Sequence, residues 1–365
     1  MDEKLKAFLL LNCIGADLRV WNKFCAAETE PSAIWKDTER FAGTLLTANA
    51  AGRLIEAEKN GWAEKEYDGC SALGVTLIAY GSDSYPKALC DLKDAPLLLY
   101  FKGSTSAVSA KTVGVVGTRR ATSYGKQAAY NIGNRAASEN TQVISGGAAG
   151  IDGQAHSGCC NADGTTFAVL GTGVDVVYPF SNKELFDRIK EKGALISEFP
   201  LGTQGEAWHF PRRNRIVAAL SKRIVVVEAP EKSGAIITAR LGLELGREIW
   251  AVPGRITEST SEGANKLIFD GAYPLISLDT FFGRKAVQID FENLQETAPH
   301  FPELNETQKK ILKTIAGEND LTVDNIAVLS GISAAETHKN ISLLAAFGLI
   351  ETSAPGRYVL SRNRE

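Results

Sequence analysis

The stretch that most constrains the fold is 112–156, TVGVVGTRRATSYGKQAAYNIGNRAASENTQVISGGAAGIDGQAH. It opens with Val113-Gly-Val-Val116, an apolar run short and β-branched enough to predict a buried strand. A polar, glycine-bounded loop follows over 117–125, and residues 126–138 carry Ala, Ile and Tyr at helical spacing. A second apolar run, Val143-Ile-Ser145, ends in Gly146-Gly-Ala-Ala-Gly150, and a second helix is predicted to begin near Asp152. A β-α-β-α unit of this kind makes the two strands parallel. Both glycine loops then lie beyond the carboxyl ends of the strands, where open α/β sheets bind ligands.

The residues of those loops suit an anion. Glycines let backbone N–H groups approach closely, and a following helix N-terminus adds partial positive charge. Arg119 and Arg120 offer planar, bidentate donors for phosphate oxygens, and Thr118, Ser123 and Ser145 can add hydroxyls. Phosphate binding is favoured over two incidental surface arginines. The ligand stays unnamed at this point, because neither loop spells G-x-G-x-x-G or G-x-x-x-x-G-K-[ST]. With 40 basic and 43 acidic residues the formal net charge is −3, so any anion site must be local. The six cysteines, at 13, 25, 70, 90, 159 and 160, form no C-x-x-C pair, and the four histidines are scattered. Neither a metal nor a cofactor is expected. No secretory signal and no apolar run near 18 residues occurs, which predicts a cytoplasmic protein with free thiols and no membrane association.

At 365 residues the chain is long enough for several domains. Residues 1–70 are helical in pattern and predict a small bundle of their own. Ile14-Gly15-Ala16 faintly resembles the turn of a helix-hairpin-helix, a SAM-like or helix-hairpin-helix-like domain in which packing is the favoured role over DNA contact. Residues 73–103 switch to strand and turn signals and extend the central sheet. Further strands are predicted at 166–170, 194–196, 224–227, 248–252 and 274–276, with helices at 182–192, 214–219 and 235–245. This alternation predicts a Rossmann-like, doubly wound, mostly parallel sheet over 71–285, with its core at 111–280. The loops at 171–175, 228–234 and 253–255 also follow strands on the same edge.

A linker is expected at 286–302, where the pattern lapses around Pro299 and Pro302. Residues 303–365 predict three helices, the first and third capped by Asn305 and Ser333, and a β-hairpin, the order of a winged helix. Its presumed recognition helix offers only His338 and Lys339, and the segment holds eight acids against seven bases. Protein contact or weak DNA binding fits that balance better than operator reading.

One long loop is predicted around Trp208-His-Phe-Pro-Arg-Arg-Asn-Arg215. Arginines beside aromatics fit a nucleic-acid edge, with guanidiniums for phosphates and rings for bases. A salt-bridged helix start with Phe210 in the core fits equally, with Asn214 or Arg215 partly structural.

Taken together, Tyr85-Pro86, Pro96-Leu-Leu-Leu-Tyr100, Val116-Gly-Thr-Arg119, Ser145-Gly-Gly-Ala-Ala-Gly-Ile-Asp152, His156, Tyr178-Pro179, Ser197-Glu198, Phe210-Pro-Arg-Arg-Asn-Arg-Ile216, Ser233-Gly-Ala-Ile-Ile-Thr238, Val252-Pro-Gly254 and Asn265-Lys-Leu-Ile268 resemble the DNA-processing protein A (DprA, or Smf) family. The resemblance is close and in order from about 85 to 270. It implies a non-enzymatic binder of single-stranded DNA that protects incoming strands and loads the RecA recombinase during natural transformation and homologous recombination. It also implies a homodimer formed through the Rossmann-like domain. The family's binding residues carry over to Gly117, Thr118, Arg119, Ser145, Gly146, Gly147, Phe210, Arg212, Arg213 and Asn214. Arg120, Lys126 and Ala148 complete the expected site. Ala149 stands where the family usually has a basic residue, a loss that Arg120 or Lys126 would offset.

Two other readings compete. A nucleotide-processing enzyme of the phosphoribohydrolase type needs a Pro-Gly-Gly-x-Gly-Thr-x-x-Glu loop. Pro230-Glu-Lys-Ser-Gly-Ala-Ile-Ile-Thr238 has neither its double glycine nor its glutamate. A winged-helix transcription regulator would want a charged recognition helix.

Overall fold

The computed structural model describes residues 1–27, 30–104, 107–283, 304–318, 320–354 and 356–361. The linker expected at 286–302 lies outside them. The chain divides into two compact units, Met1–Ala286 and Val287–Glu365.

The first unit opens with six helices: α1 (Glu3–Cys13), α2 (Leu18–Ala26), α3 (Ala33–Lys36), α4 (Thr38–Phe41), α5 (Ala48–Lys59) and α6 (Trp62–Ala72). Ala7, Phe8, Leu9, Leu10 and Leu11 of α1 are all fully buried. Five consecutive apolar residues wrap the whole helix rather than one stripe, so the helix is covered on every side. Helices that the sequence assigns to a separate bundle therefore share one continuous core with the sheet. Asn12 confirms the junction: its amide donates to the Glu198 carbonyl (2.8 Å) and its oxygen accepts from the Tyr100 hydroxyl (3.2 Å).

Nine strands follow: β1 (Thr76–Ala79), β2 (Leu98–Gly103), β3 (Thr112–Val116), β4 (Gln142–Ser145), β5 (Thr166–Val169), β6 (Ala194–Ser197), β7 (Arg223–Val226), β8 (Glu248–Ala251) and β9 (Tyr273–Pro274). They form one sheet in the order β1-β2-β6-β5-β4-β3-β7-β8-β9. Strands β3 to β9 are parallel, and β1 and β2 extend the sheet antiparallel at one edge. Between them run α7 (Ser123–Ser138), α8 (Ile151–Asn161), α9 (Lys183–Lys192), α10 (His209–Leu220), α11 (Gly234–Glu244) and α12 (Glu262–Phe269), with a short α13 (Leu278–Phe282) after β9. Successive strand residues enter opposite cores. Val113, Val115, Val143 and Val225 pack with α7 and α8, while Val116, Ile144, Ile224 and Val226 join the larger core that includes Ile216 and Val217 of α10. Helices thus cover both faces, the doubly wound arrangement.

From β3 the chain winds outward through β4, β5 and β6, then returns to β3's other side and continues through β7, β8 and β9. The reversal lies between β3 and β7. At that point the following helices leave on opposite faces and a crevice opens beyond the strand ends.

In the second unit, α14 (Glu306–Gly317), α15 (Val323–Ser330) and α16 (Ala334–Ala346) surround Ile311, Ile315, Ile326, Ile341 and Leu344. Asn305 and Gln308 form a reciprocal capping box, and Ser333 caps α16. Strands β10 (Leu321–Thr322), β11 (Ile350–Ala354) and β12 (Arg357–Leu360) make a small antiparallel sheet, so helices and hairpin follow winged-helix order. His338 and Lys339 are exposed on α16.

Candidate functional site

A cleft of about 370 Å³ occupies the crevice between the loops after β3 and β7. Gly117, Thr118, Arg119 and Arg120 line it from the β3 loop, and Gly146, Ala148 and Asp152 from the β4 loop and α8. Phe210, Arg213 and Asn214 come from α10, and Pro230, Ser233, Gly234, Ala235 and Thr238 from the β7 loop and α11. A smaller recess of about 90 Å³ adjoins it, sharing Arg119, Gly146, Ala148, Phe210 and Arg213 and adding Ala149, Leu170, Tyr178 and Pro179.

The sequence predicts a loop at 208–215, and here the structure differs. Helix α10 begins at His209 and runs through every arginine of that segment. Pro211 misleads the eye, but it sits in the first helical turn, where its missing N–H has no intrahelical partner to lose. The helix turns its polar residues to different sides. Arg213, only 5% exposed, donates to the Gly146 carbonyl (2.6 Å) and to the Val169 carbonyl, tying two strand ends together. A side chain on Gly146 would collide with that guanidinium. Burial lowers the Arg213 pKa to about 10, with Asp152 opposing the shift and Arg119 adding to it, so it is cationic at neutral pH. Asn214 donates to the Gly234 carbonyl (3.2 Å) and accepts from Arg213. Arg212 and Arg215 face away from the cleft: both reach Glu198, Arg212 also donates to Gly15, and Arg215 pairs with Asp94.

The two glycine loops have the right place, but their amides are largely committed. Buried Glu228, just past β7, accepts from the Thr122 N–H (2.9 Å) and from its hydroxyl, while Thr122 accepts from the Gly125 N–H (3.1 Å). An internal carboxylate therefore occupies the positive end of α7. Gly125 is required there, since an added Cβ would strike Glu228. The Thr118 N–H is spent on the Glu228 carbonyl (2.6 Å). In the second loop, the Gly146 N–H donates to Asp152 (3.1 Å), whose pKa burial raises while Arg213 and loop amides hold it down. Ser145 is fully buried and donates to the Val115 carbonyl (2.6 Å). Gly147 packs against Phe186, and Lys126 is exposed on α7 outside the cleft.

The helix end that stays open belongs to α11. Ser233 is its N-cap but makes no capping bond, and its hydroxyl oxygen is buried without a hydrogen-bond partner among the described residues. First-turn amides of a helix lack intrahelical partners, so those of Gly234 and Ala235 present donors at the cleft wall. Sequence reasoning places this loop on the correct edge without singling out Ser233, Gly234 or Ala235. The available signal was a serine followed by an apolar helical run.

Arg119 and Arg120 are exposed, and neither guanidinium has a carboxylate partner among the described residues. Arg119 stacks on Phe210, its guanidinium carbon 5.0 Å from the ring centroid, and Tyr178 tilts against the same ring at 5.5 Å. The arrangement gives two unpaired cations, an open helix N-terminus and aromatic faces around one cavity. Among the described residues no group of three His, Cys, Asp or Glu could hold a metal ion.

A sequence profile described as DNA recombination-mediator protein A matches residues 76–284, more than half of the chain. The chain belongs to that family, DprA. It is 37% identical over 227 residues to DNA processing protein DprA of Bacillus subtilis, covering 62% of this chain and 75% of the relative. Protein Smf of Escherichia coli is 35% identical over 298 residues, covering 78% and 77%. DprA of Streptococcus pneumoniae superposes with a TM-score of 0.64 at 32% identity, over 76% of this chain and 95% of that one. DprA of Helicobacter pylori, whose structure is described as showing a single-stranded DNA binding mode, gives 0.53 at 29% identity, over 58% and 95%.

Proposed function

We propose that this protein binds single-stranded DNA, the ligand whose binding mode is described for the Helicobacter pylori relative, and that it does so in the cleft between the β3 and β7 loops. The observation that carries the reading is the pairing of Arg119 and Arg120, exposed and without acidic partners among the described residues, with the Phe210 ring and the open start of α11. Guanidiniums and helix amides take phosphates, and the ring faces take unstacked bases. Duplex DNA keeps its bases inward and gains nothing from the rings. The two carboxylates beside the loops are committed to the fold, Glu228 as a helix cap and buried Asp152 on the Gly146 N–H, which favours holding the strand over cutting it.

Within a recombination-mediator family, a bound strand is presented to a recombinase. The role extends to loading RecA during natural transformation and homologous recombination in the cytoplasm. No helix among the described residues is long and apolar enough to cross a membrane, and the six cysteines carry free thiols. A homodimer fits the edge of the sheet at β9, where Phe269, Tyr273 and Ile276 are 88%, 55% and 75% exposed. Phe269 ends α12 and Ile276 follows β9, so among the described residues an exposed apolar patch flanks the edge strand and favours a partner.

Competition titrations of a labelled single strand against unlabelled single strand, duplex and mononucleotide test the reading. Single strand should compete best. Equal competition by duplex would refute it, and competition by mononucleotide alone would point to the nucleotide-processing alternative.

A further inference from the structure

A second opening lies further along the same edge of the sheet, a groove of about 550 Å³ between the start of α7 and the loop after β8. Thr122, Ser123 and Tyr124 form one wall, and Pro253, Arg255 and Glu258 the other. Tyr124 is 55% exposed, and its hydroxyl donates to the Pro253 carbonyl (3.0 Å), which ties the ring to the far wall. The Arg255 side chain is 84% exposed, and Glu258, at 3.7 Å, is its only ion partner among the described residues. A surface pair of that length holds the guanidinium weakly. Asn265 clamps Gly254 through two 3.0 Å hydrogen bonds, so the loop that carries Arg255 is braced at its base.

Groove and cleft are neighbours. The β3–α7 loop borders both, with Arg120 on the cleft and Thr122 on the groove. Strands β5, β4, β3, β7 and β8 are consecutive in the sheet, so their loops cover about 19 Å at ordinary strand spacing. Along that edge, rings and guanidiniums are interspersed: Phe210 with Arg119, then Arg120, then Tyr124 with Arg255, the last held, among the described residues, only by its 3.7 Å pair with Glu258. A row of ring faces interleaved with guanidiniums matches the alternation of base and phosphate along an extended strand.

We propose that the groove is a second station for the same single strand, where a base stacks on Tyr124 and a phosphate pairs with Arg255. The proposal rests on the cleft being a single-strand site, and the strand continues from it across Arg120. The ring supplies the contact, while the tyrosine hydroxyl only braces the loop.

The test compares the full-length protein with Tyr124→Ala, Tyr124→Phe, Arg255→Gln and Arg119→Ala. Each is titrated by fluorescence anisotropy with oligothymidylates of about three and about ten nucleotides, the longer able to cross both stations. Arg119→Ala should weaken both lengths. Tyr124→Ala and Arg255→Gln should each weaken the longer strand roughly tenfold and leave the shorter unchanged. Tyr124→Phe should bind like wild type. The second station is overturned if the groove variants lose equally on both lengths or on neither, or if Tyr124→Phe loses as much as Tyr124→Ala. Wild-type protein that binds neither strand would refute the reading of the cleft and this proposal with it. Wild-type binding with indifferent groove variants would remove the second station alone.

Discussion

Arg119 is the residue on which binding should depend most. It is exposed, has no acidic partner among the described residues, and is pre-set by the Phe210 face beneath it. Arg119→Ala should cost about 1.5–3 kcal/mol of single-strand affinity, the range of charge-assisted hydrogen bonds, with the fold intact. Arg119→Lys should recover only part, because a point charge neither forks onto a phosphate nor lies flat on the ring. Isothermal titration with circular dichroism checks both, and a folded Arg119→Ala protein of wild-type affinity would place the strand elsewhere. Ala149→Arg carries the opposite sign. Ala149 lines the recess beside Arg119, so a cation there should tighten binding and steepen the log–log salt dependence by about 0.7.

His156 makes a different claim, about stability and pH. It is fully buried, and the Thr166 hydroxyl, which donates to the Val143 carbonyl, must accept from its Nδ1–H (2.7 Å). The other ring nitrogen is buried without a partner among the described residues. Burial, with Arg213 nearby, pushes its pKa down to about 3. The unfolded chain then takes up this proton near pH 6.5 and the folded chain does not, so stability is complete above pH 6.5 and falls as pH drops towards 3. The slope for one such group is at most about 1.4 kcal/mol per pH unit. His156→Gln should remove this component. Urea denaturation at pH 7 and pH 5 should show a smaller loss in the variant than in wild type, and equal losses would contradict the assignment.

At the scale of elements, the sheet was readable because parallel strands buried on both faces leave short β-branched runs, as at 113–116, 143–145 and 224–227. The helix caps at Asn305 and Ser333 were readable for the same local reason. Helix α10 was not, since Pro211 and a run of arginines look like a loop until Arg213, Arg212 and Arg215 are each seen to have a buried partner. The fate of the loop amides was equally hidden. Glu228 lies 106 residues from Thr122, and no local pattern announces that it caps α7. The expected cleft residues Gly117, Thr118, Arg119, Arg120, Gly146, Ala148, Phe210, Arg213 and Asn214 do meet, whereas Lys126, Ser145, Gly147 and Arg212 line neither cavity. A test follows from the Glu228 cap. Glu228→Gln puts an amide N–H against the donors of Thr122 and removes the charge at the helix start, and should destabilise the first unit by about 1–3 kcal/mol. Chemical denaturation measures it, and an unchanged midpoint would show that the cap contributes nothing.

For the whole molecule, the question is how a chain of net charge −3 would hold the polyanion proposed for it. The structure answers with a local concentration of cations, not a global excess. Arg119, Arg120, Lys126, Lys232 and Arg255 are exposed on or beside the loops at the carboxyl edge. Three to five neutralised phosphates on a single strand correspond to a log–log salt slope of roughly −2 to −3.5. The winged-helix segment, residues 303–365, adds nothing to this count, because its sequence balances eight acids against seven bases and its α16 exposes Lys339 as a cation beside His338. It also has a core of its own. Deleting 303–365 should therefore preserve most single-strand affinity, within about threefold, and leave the salt slope unchanged within about 0.7, the value of one phosphate. Titrations of both proteins across a salt series, with thermal melts to confirm folding, provide the check. A folded truncation that loses nearly all binding, or whose slope falls by about two phosphates or more, would move the principal DNA contacts out of the cleft and into the winged helix.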